Sequence, residues 1–296
     1  MMPWSFNRDT AAGMTSGGSF GGWSLFRGTL KMTALVLLIL AIIPCQCLLL
    51  PWRSLGWRAA RFWHQSLCRV LGIAVECVGK PLTGMQVAYV GNHLSYLDIP
   101  VVGSVVLGRF VAKADMQHWP LFGLLARLQR TVFISRRSRD AVNAVRAMDA
   151  ALQRGDSLIL FPEGTSSAGE WVFAFKSSAF SAPAAHLARG LVIQPFSMTL
   201  QTVDGREPRT ILDRNRYAYY ADMQLAGHLW RFMRTRGARV RLIFHPALAA
   251  AEGSDRKHIA ATAASVVASG LNAVRSPSGD GGSTLSRASQ RVESAP

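Results

Sequence analysis

Acidic residues are scarce in this chain. Its 296 residues hold 17 Asp and Glu against 33 Lys and Arg, a net charge of +16, and no acid lies between Asp9 and Glu76. Charged residues of both signs reach only 17%, while apolar ones make up 49%, a greasier balance than that of an ordinary soluble domain. A strongly basic surface implies a polyanionic partner, either nucleic acid or the anionic face of a membrane. Cysteine is sparse too. Cys45, Cys47, Cys68 and Cys77 form no Cys-x-x-Cys pair, and the first two sit inside the most apolar run. That excludes a disulfide framework or a zinc site of the usual spacing, and the thiols are read as reduced. The chain also lacks an internal repeat.

One long hydrophobic run is present. Met32–Leu50 holds no charged residue, and about 20 residues at 1.5 Å each cross a hydrocarbon core of about 30 Å. Pro44 and Gln46 are expected to kink its second half or bring it to the surface. The run starts too far inside the chain for a cleaved signal peptide. From Trp52 to His64, Arg alternates with Trp and Phe, the composition of an amphipathic helix lying among lipid headgroups. Arg8, Arg27 and Lys31 precede the run and Arg53, Arg58, Arg61 and Arg69 follow it, which places the following domain in the cytoplasm, on the inner membrane. The competing reading is a pair of core helices. The expected organisation is a flexible Gly- and Ser-rich tail over 1–28, a membrane anchor with its amphipathic helix over 29–70, a globular catalytic domain over 71–275 and a disordered tail over 276–296.

From Leu71 the pattern becomes α/β. Short continuous apolar runs at 72–78, 86–90, 109–112, 131–134, 157–161, 191–193 and 239–244 read as buried strands, with helical patterns at 121–129, 139–153, 179–188 and 257–274. The expected fold is a mixed, largely parallel sheet flanked by helices, with an N-terminal membrane-associated helical segment.

The chemistry gathers at strand ends, where open α/β sheets bind ligands. Gly91-Asn92-His93-Leu94-Ser95-Tyr96-Leu97-Asp98 follows the second strand. His takes a proton near neutral pH, and a carboxylate on its other ring nitrogen fixes the tautomer. Residues five apart on one helix are about 140° from each other, so the pair meets only if His93 lies on a turn and Asp98 in the first helical turn. The bland alternative makes Asn92 and Ser95 helix caps, Asp98 a dipole partner and His93 a surface residue. Phe161-Pro162-Glu163-Gly164-Thr165-Ser166-Ser167 follows another strand. Its Gly lets backbone approach a ligand, and its carboxylate, hydroxyls and amides offer polar contacts; an ordinary capped turn is the alternative. Arg136 and Arg137 end a further strand, either as a phosphate or carboxylate fork or as a solvated loop. Val192-Ile193-Gln194-Pro195 means little alone.

Taken together and in this order, Asn92-His93-x4-Asp98, Arg136, Phe161-Pro162-Glu163-Gly164-Thr165 and Val192-x-x-Pro195 resemble the glycerolipid (lysophospholipid) acyltransferase family over roughly residues 60–248. Lys113, Pro120 and Gly123 match a Lys…Pro-x-x-Gly pattern of that family. The resemblance implies that His93 is the general base for the acceptor hydroxyl and that Asp98 orients it. The hydroxyl then attacks the thioester of acyl coenzyme A or acyl carrier protein directly, with no cofactor and no metal. It further implies that Arg136, Glu163, Gly164 and Thr165 position the acceptor head group and that Pro195 lines a channel. Members acting on 1-acyl-sn-glycerol-3-phosphate carry Arg after Glu-Gly-Thr; here Ser166 stands there, and Phe175-Lys176-Ser177-Ser178 replaces Phe-Lys-x-Gly. These two forms resemble the bacterial branch that acylates lyso-ornithine lipid. Arg136 or Lys176 supplies the charge if the acceptor carries phosphate.

Three other classes fit the residues less well. A non-catalytic lipid-binding scaffold would leave His93 and Asp98 idle. Nucleic-acid binding is suggested by Arg231, Arg234, Arg236, Arg239 and Arg241, but that stretch carries an apolar face, so membrane lipid is the simpler partner. A metal hydrolase on His93, Asp98 and Glu163 has too few ligands.

Overall fold

The computed structural model describes residues 22–49, 51–119, 121–135, 140–249 and 254–275. Arg136, Pro120 and the tail residues 1–21 and 276–296 lie outside them. The helices are α1 (Gly22–Leu49), α2 (Arg53–Leu71), α3 (Asp98–Gly103), α4 (Phe122–Leu128), α5 (Ala141–Gln153), α6 (Ser181–Ala185), α7 (Ile211–Arg214), α8 (Leu225–Arg234) and α9 (Arg256–Arg275). The strands are β1 (Ile73–Val78), β2 (Val87–Gly91), β3 (Arg109–Lys113), β4 (Val132–Ile134), β5 (Leu158–Leu160), β6 (Val192–Val203) and β7 (Ala238–Phe244).

Among the described residues the strands form one sheet in the order β1-β7-β6-β2-β5-β3-β4. Every neighbouring pair is parallel except β6 and β7. Both faces are covered, so the central strand is apolar at every position. Val87 and Tyr89 of β2 join a cluster with α2, α3 and α8, while Ala88 and Val90 join one with α5, α6 and α9. The largely parallel α/β sheet expected from the runs of Val, Ile and Leu is the fold observed.

Three local expectations change. The strand read at 191–193 runs on to Val203, through Pro195. The Pro195 carbonyl accepts from His245 N–H on the β7 side, just past the last β6–β7 rung, Phe196 opposite Phe244. The missing Pro N–H falls opposite His245, one step past that rung, and the His245 carbonyl accepts from Gln194 Nε2 at 3.0 Å instead. The helix read at 179–188 is broken into α6 between two 3-10 turns. Pro183 fits in the first turn, and Gly190 at φ +85° stops the chain. Finally, α1 begins at Gly22 rather than after residue 28, because Trp23, Leu25 and Phe26 extend the apolar pattern. It continues through Pro44, and Gln46, expected at the surface or a kink, is buried. Its Oε1 accepts from Gln129 Nε2 at 3.1 Å.

The N-terminal turns of α1 are bound to the domain. Gly28 lies against Trp230 and Arg234 of α8, with no room for a Cβ. Lys31 Nζ donates to Leu71 O at 2.6 Å and Thr235 O at 3.1 Å, and Arg27 donates to Arg234 O. One lysine thus serves carbonyls at the C-terminal ends of α2 and α8, which have no helical partner. Farther along, Leu37, Leu40 and Leu48 are exposed, as are Trp52, Leu55 and Phe62.

Candidate active site

β2 and β5 are parallel neighbours, so the loops leaving their C-terminal ends emerge side by side. That juxtaposition brings together the two motifs, about 70 residues apart in the chain. Asn92 starts the first loop as an extra sheet rung. Its side chain donates to Met198 O at 3.0 Å and accepts from Met198 N at 2.7 Å. It is therefore not the helix cap of the bland reading. Gly91 is required here, because a Cβ would meet the Phe196 ring at 2.4 Å.

His93 then lies on a turn and Asp98 is the first residue of α3, the arrangement the spacing demanded. His93 Nδ1 is 2.7 Å from Asp98 Oδ2. The same oxygen accepts from the N–H groups of Leu94 at 2.6 Å and Ser95 at 2.9 Å, and Oδ1 accepts from the Tyr217 hydroxyl at 3.0 Å. Asp98 is wholly buried, whereas the His93 side chain is 22% exposed. An ionised carboxylate only accepts, so Nδ1 carries the proton and Nε2 holds the free lone pair. No described residue hydrogen-bonds Nε2. The imidazole lies on Phe161, with ring centroids 4.2 Å apart and planes 14° from parallel.

The second loop is bound to the first, since Ser167 N–H donates to His93 O at 3.0 Å. Glu163 was expected to touch a head group. Instead it is 3% exposed, and its Oε1 accepts from Phe173 N–H at 3.2 Å. Burial pushes its pKa up to about 8, against the pull of the Phe173 and His93 N–H groups, and the charge of Asp98 adds to the rise. Gly164 has φ +70°, and Lys176 crosses it so closely that a Cβ would meet Nζ at 2.7 Å. Thr165 and Lys176 are exposed. Ser166 turns inward, donating to Tyr219 O at 2.5 Å. Pro195 is buried in β6 opposite Val90; its neighbour Phe196 is the residue of this stretch that reaches toward the site, through Phe161 at 6.1 Å. Arg136 lies outside the described residues. Among the described residues no three His, Cys, Asp or Glu side chains are grouped to hold a metal.

Comparison with known proteins gives the family. The sequence profile of the Acyltransferase family matches residues 75–199. A lyso-ornithine lipid O-acyltransferase of Brucella abortus is 34% identical over 241 residues, 79% of this chain and 89% of that protein. The chain belongs to the acyltransferase family. A 1-acyl-sn-glycerol-3-phosphate acyltransferase of Neisseria meningitidis is 33% identical, over 63% of this chain and 70% of its own length. The crystal structure of a 1-acyl-sn-glycerophosphate acyltransferase from Thermotoga maritima superposes with a TM-score of 0.59 at 17% identity, covering 87% of this chain and 98% of that one. This acyltransferase is thus a lipid-biosynthesis enzyme by its relatives, and its fold is theirs.

Sequence reasoning missed Tyr217 and Tyr219. The signal was Tyr217-Ala218-Tyr219-Tyr220, which holds three of the five tyrosines. Tyr96 of the first motif packs here as well: its hydroxyl meets His228 Nδ1 at 3.0 Å, and its ring stands edge-on to Tyr219.

Proposed function

We propose that this acyltransferase moves a fatty acyl group from an acyl thioester to the free hydroxyl of lyso-ornithine lipid at the cytoplasmic face of the inner membrane. The carrying observation is the bond from His93 Nδ1 to Asp98, with Nε2 left free at the ends of β2 and β5. Nε2 takes the hydroxyl proton as the oxygen attacks the thioester carbonyl carbon. The tetrahedral adduct collapses, the C–S bond breaks, and the departing sulfur receives the proton from His93. Asp98 stabilises the transient imidazolium. The thioester supplies the activation, so no cofactor is called for. Coenzyme A and acyl carrier protein are both anionic donors suited to a chain of net charge +16.

Ser166 supports the phosphate-free acceptor, because its hydroxyl is spent on Tyr219 O and no cation stands at that position. A second reading, 1-acyl-sn-glycerol-3-phosphate, is favoured by one feature: the exposed Lys176 ammonium lying over Gly164. The basic surface suits an anionic membrane. Two of the arginines that suggested nucleic acid are engaged within the protein, Arg234 with Ser24 and Arg241 with Glu76. α1 is long and apolar enough to cross a membrane. However, Lys31 near its start bonds Leu71 at the end of α2. That supports a hairpin entering and leaving by one face of the bilayer.

The test is purified protein in detergent, given labelled acyl donor with either lysolipid, beside His93→Ala. Preference for lyso-ornithine lipid is the expected result. Preference for the phosphate acceptor transfers the reading to Lys176. Transfer to neither by folded protein rejects both acceptors.

A further inference from the structure

The residues 217–219 form a strap stitched to both loops of the site. Tyr217 is wholly buried, its ring edge-on to Phe232 of α8 at 5.9 Å. Its hydroxyl gives Asp98 Oδ1 a hydrogen bond at 3.0 Å, while the three other donors to this carboxylate crowd onto Oδ2. Two residues on, Tyr219 N–H donates to Leu94 O at 2.9 Å, beside His93. The Tyr219 carbonyl takes the Ser166 hydroxyl at 2.5 Å, beside Glu163 and Gly164.

We propose that Tyr217 is a positioning residue for acyl transfer, holding the Asp98 carboxylate by its second oxygen so that the first stays on His93 Nδ1, and that Ser166 acts on the reaction through this strap rather than through the acceptor. The first half rests on the assignment of His93 as base. A carboxylate fixed at one oxygen alone still rocks about its Cβ–Cγ bond, and the imidazole rocks with it. The fourth hydrogen bond removes that freedom at a carboxylate that water does not reach. Burial and the neighbouring Asp98 hold the Tyr217 hydroxyl far above its ordinary pKa, so it remains a donor at every working pH.

Charge follows geometry. Without the hydroxyl, Oδ1 is a buried oxygen with no donor, and the pair of His93 and Asp98 holds its proton more tightly. The other titratable groups facing this pair are Glu163, which feels Asp98, and Tyr96 and Cys68, which face Tyr217. None of them replaces the lost donor.

Tyr217→Phe keeps the ring and its packing on Phe232. In the full chain in detergent, kcat should fall by about ten- to a hundredfold, as expected for a hydrogen bond to a charged group. KM for the acceptor should stay within about threefold, and the acid limb of the kcat profile should move toward alkaline pH by up to about one unit. Unchanged kcat and limb, or a raised KM with kcat intact, would overturn the proposal. The second readout needs no substrate. In carbon-13 spectra of the imidazoles, assigned with His93→Ala, the His93 titration should move upward in Tyr217→Phe. A titration that stays in place rejects the role even if no acceptor has been found, whereas a shifted titration in a protein that transfers to no lysolipid upholds it and fails only the acceptor assignment. Ser166→Ala should lower kcat by about the same factor for lyso-ornithine lipid and lysophosphatidic acid. Loss confined to one acceptor would put Ser166 at the head group and overturn that half.

Discussion

The imidazole of His93 lies almost flat on the phenyl ring of Phe161, centroids 4.2 Å apart, while its edge is held by Asp98. The ring is thus set by two orthogonal constraints, one hydrogen bond in its plane and one aromatic face beneath it. The face does more than pack, because an aromatic quadrupole favours the imidazolium that forms during proton transfer. Phe161→Leu keeps apolar volume and loses the face. An aromatic pair contributes about 0.5–1.5 kcal/mol beyond its burial, so kcat should drop by about three- to tenfold with the fold intact. Steady-state kinetics with a melting curve on the same sample check this. A kcat equal to that of the parent would deny Phe161 any part in setting the base.

Asp98→Asn tests the tautomer. Asp98 Oδ2 accepts three donors and Oδ1 a fourth. An amide nitrogen in the Oδ2 place would point at two backbone N–H groups, and the ring would flip its proton to Nε2 and lose the free lone pair; in the Oδ1 place it faces the Tyr217 hydroxyl, which can turn to accept, and the neutral amide leaves the imidazolium without its counter-charge. The expected loss in kcat is about a thousand- to ten-thousandfold, as for other His–carboxylate pairs, with a lower melting temperature from the buried mismatch. Activity within tenfold of the parent would show that Asp98 does not govern the base.

How much of this was legible follows from the range of each signal. The buried runs of β2 and β5 and the polar turns after them are local, and each was readable. What joins them is register. Nothing near Asn92 announces that its amide pairs with Met198, 106 residues away, or that Asp98 waits for a tyrosine 119 residues on. Glu163 and Ser166 were readable as motif positions but not as directions. Both point inward, because the strap at 217–219 and the Phe173 amide arrive from elsewhere in the chain. Pro195 misled in the same way: alone it ends a strand, and only the Gln194 side chain, which takes the His245 carbonyl, explains why β6 continues.

Glu163 makes stability depend on pH. Its carboxyl titrates near 4.5 in an unfolded chain and at about 8 when buried. Between those values the native state holds a proton that the unfolded state has lost. Stability is therefore full below pH 4.5 and declines as pH rises toward 8, by an amount on the order of 4 kcal/mol. Glu163→Gln keeps an acceptor for Phe173 N–H and removes the titration. Unfolding midpoints in denaturant from pH 5 to 8 should fall in the parent and stay flatter in the variant. Parallel curves would show that Glu163 is already ionised at neutral pH.

Lys31 binds the first turns of α1 to the ends of α2 and α8. Its ammonium serves Leu71 O and Thr235 O, where α2 and α8 run out of partners. It sits beside Gly28, which lets α1 close onto Trp230 and Arg234. Lys31→Met keeps the stem and deletes the donor. Two carbonyls then lose their partner, at a cost of about 1–3 kcal/mol, and the first turns of α1 loosen from α8. The exposed Leu37, Leu40 and Leu48 are untouched, so flotation with anionic vesicles should be unchanged while the melting temperature in detergent falls by several degrees. Because α8 also carries His228, which meets the Tyr96 hydroxyl between His93 and Asp98, kcat should fall with it. Lost flotation with an unchanged melting temperature would mean that Lys31 meets lipid rather than the two carbonyls.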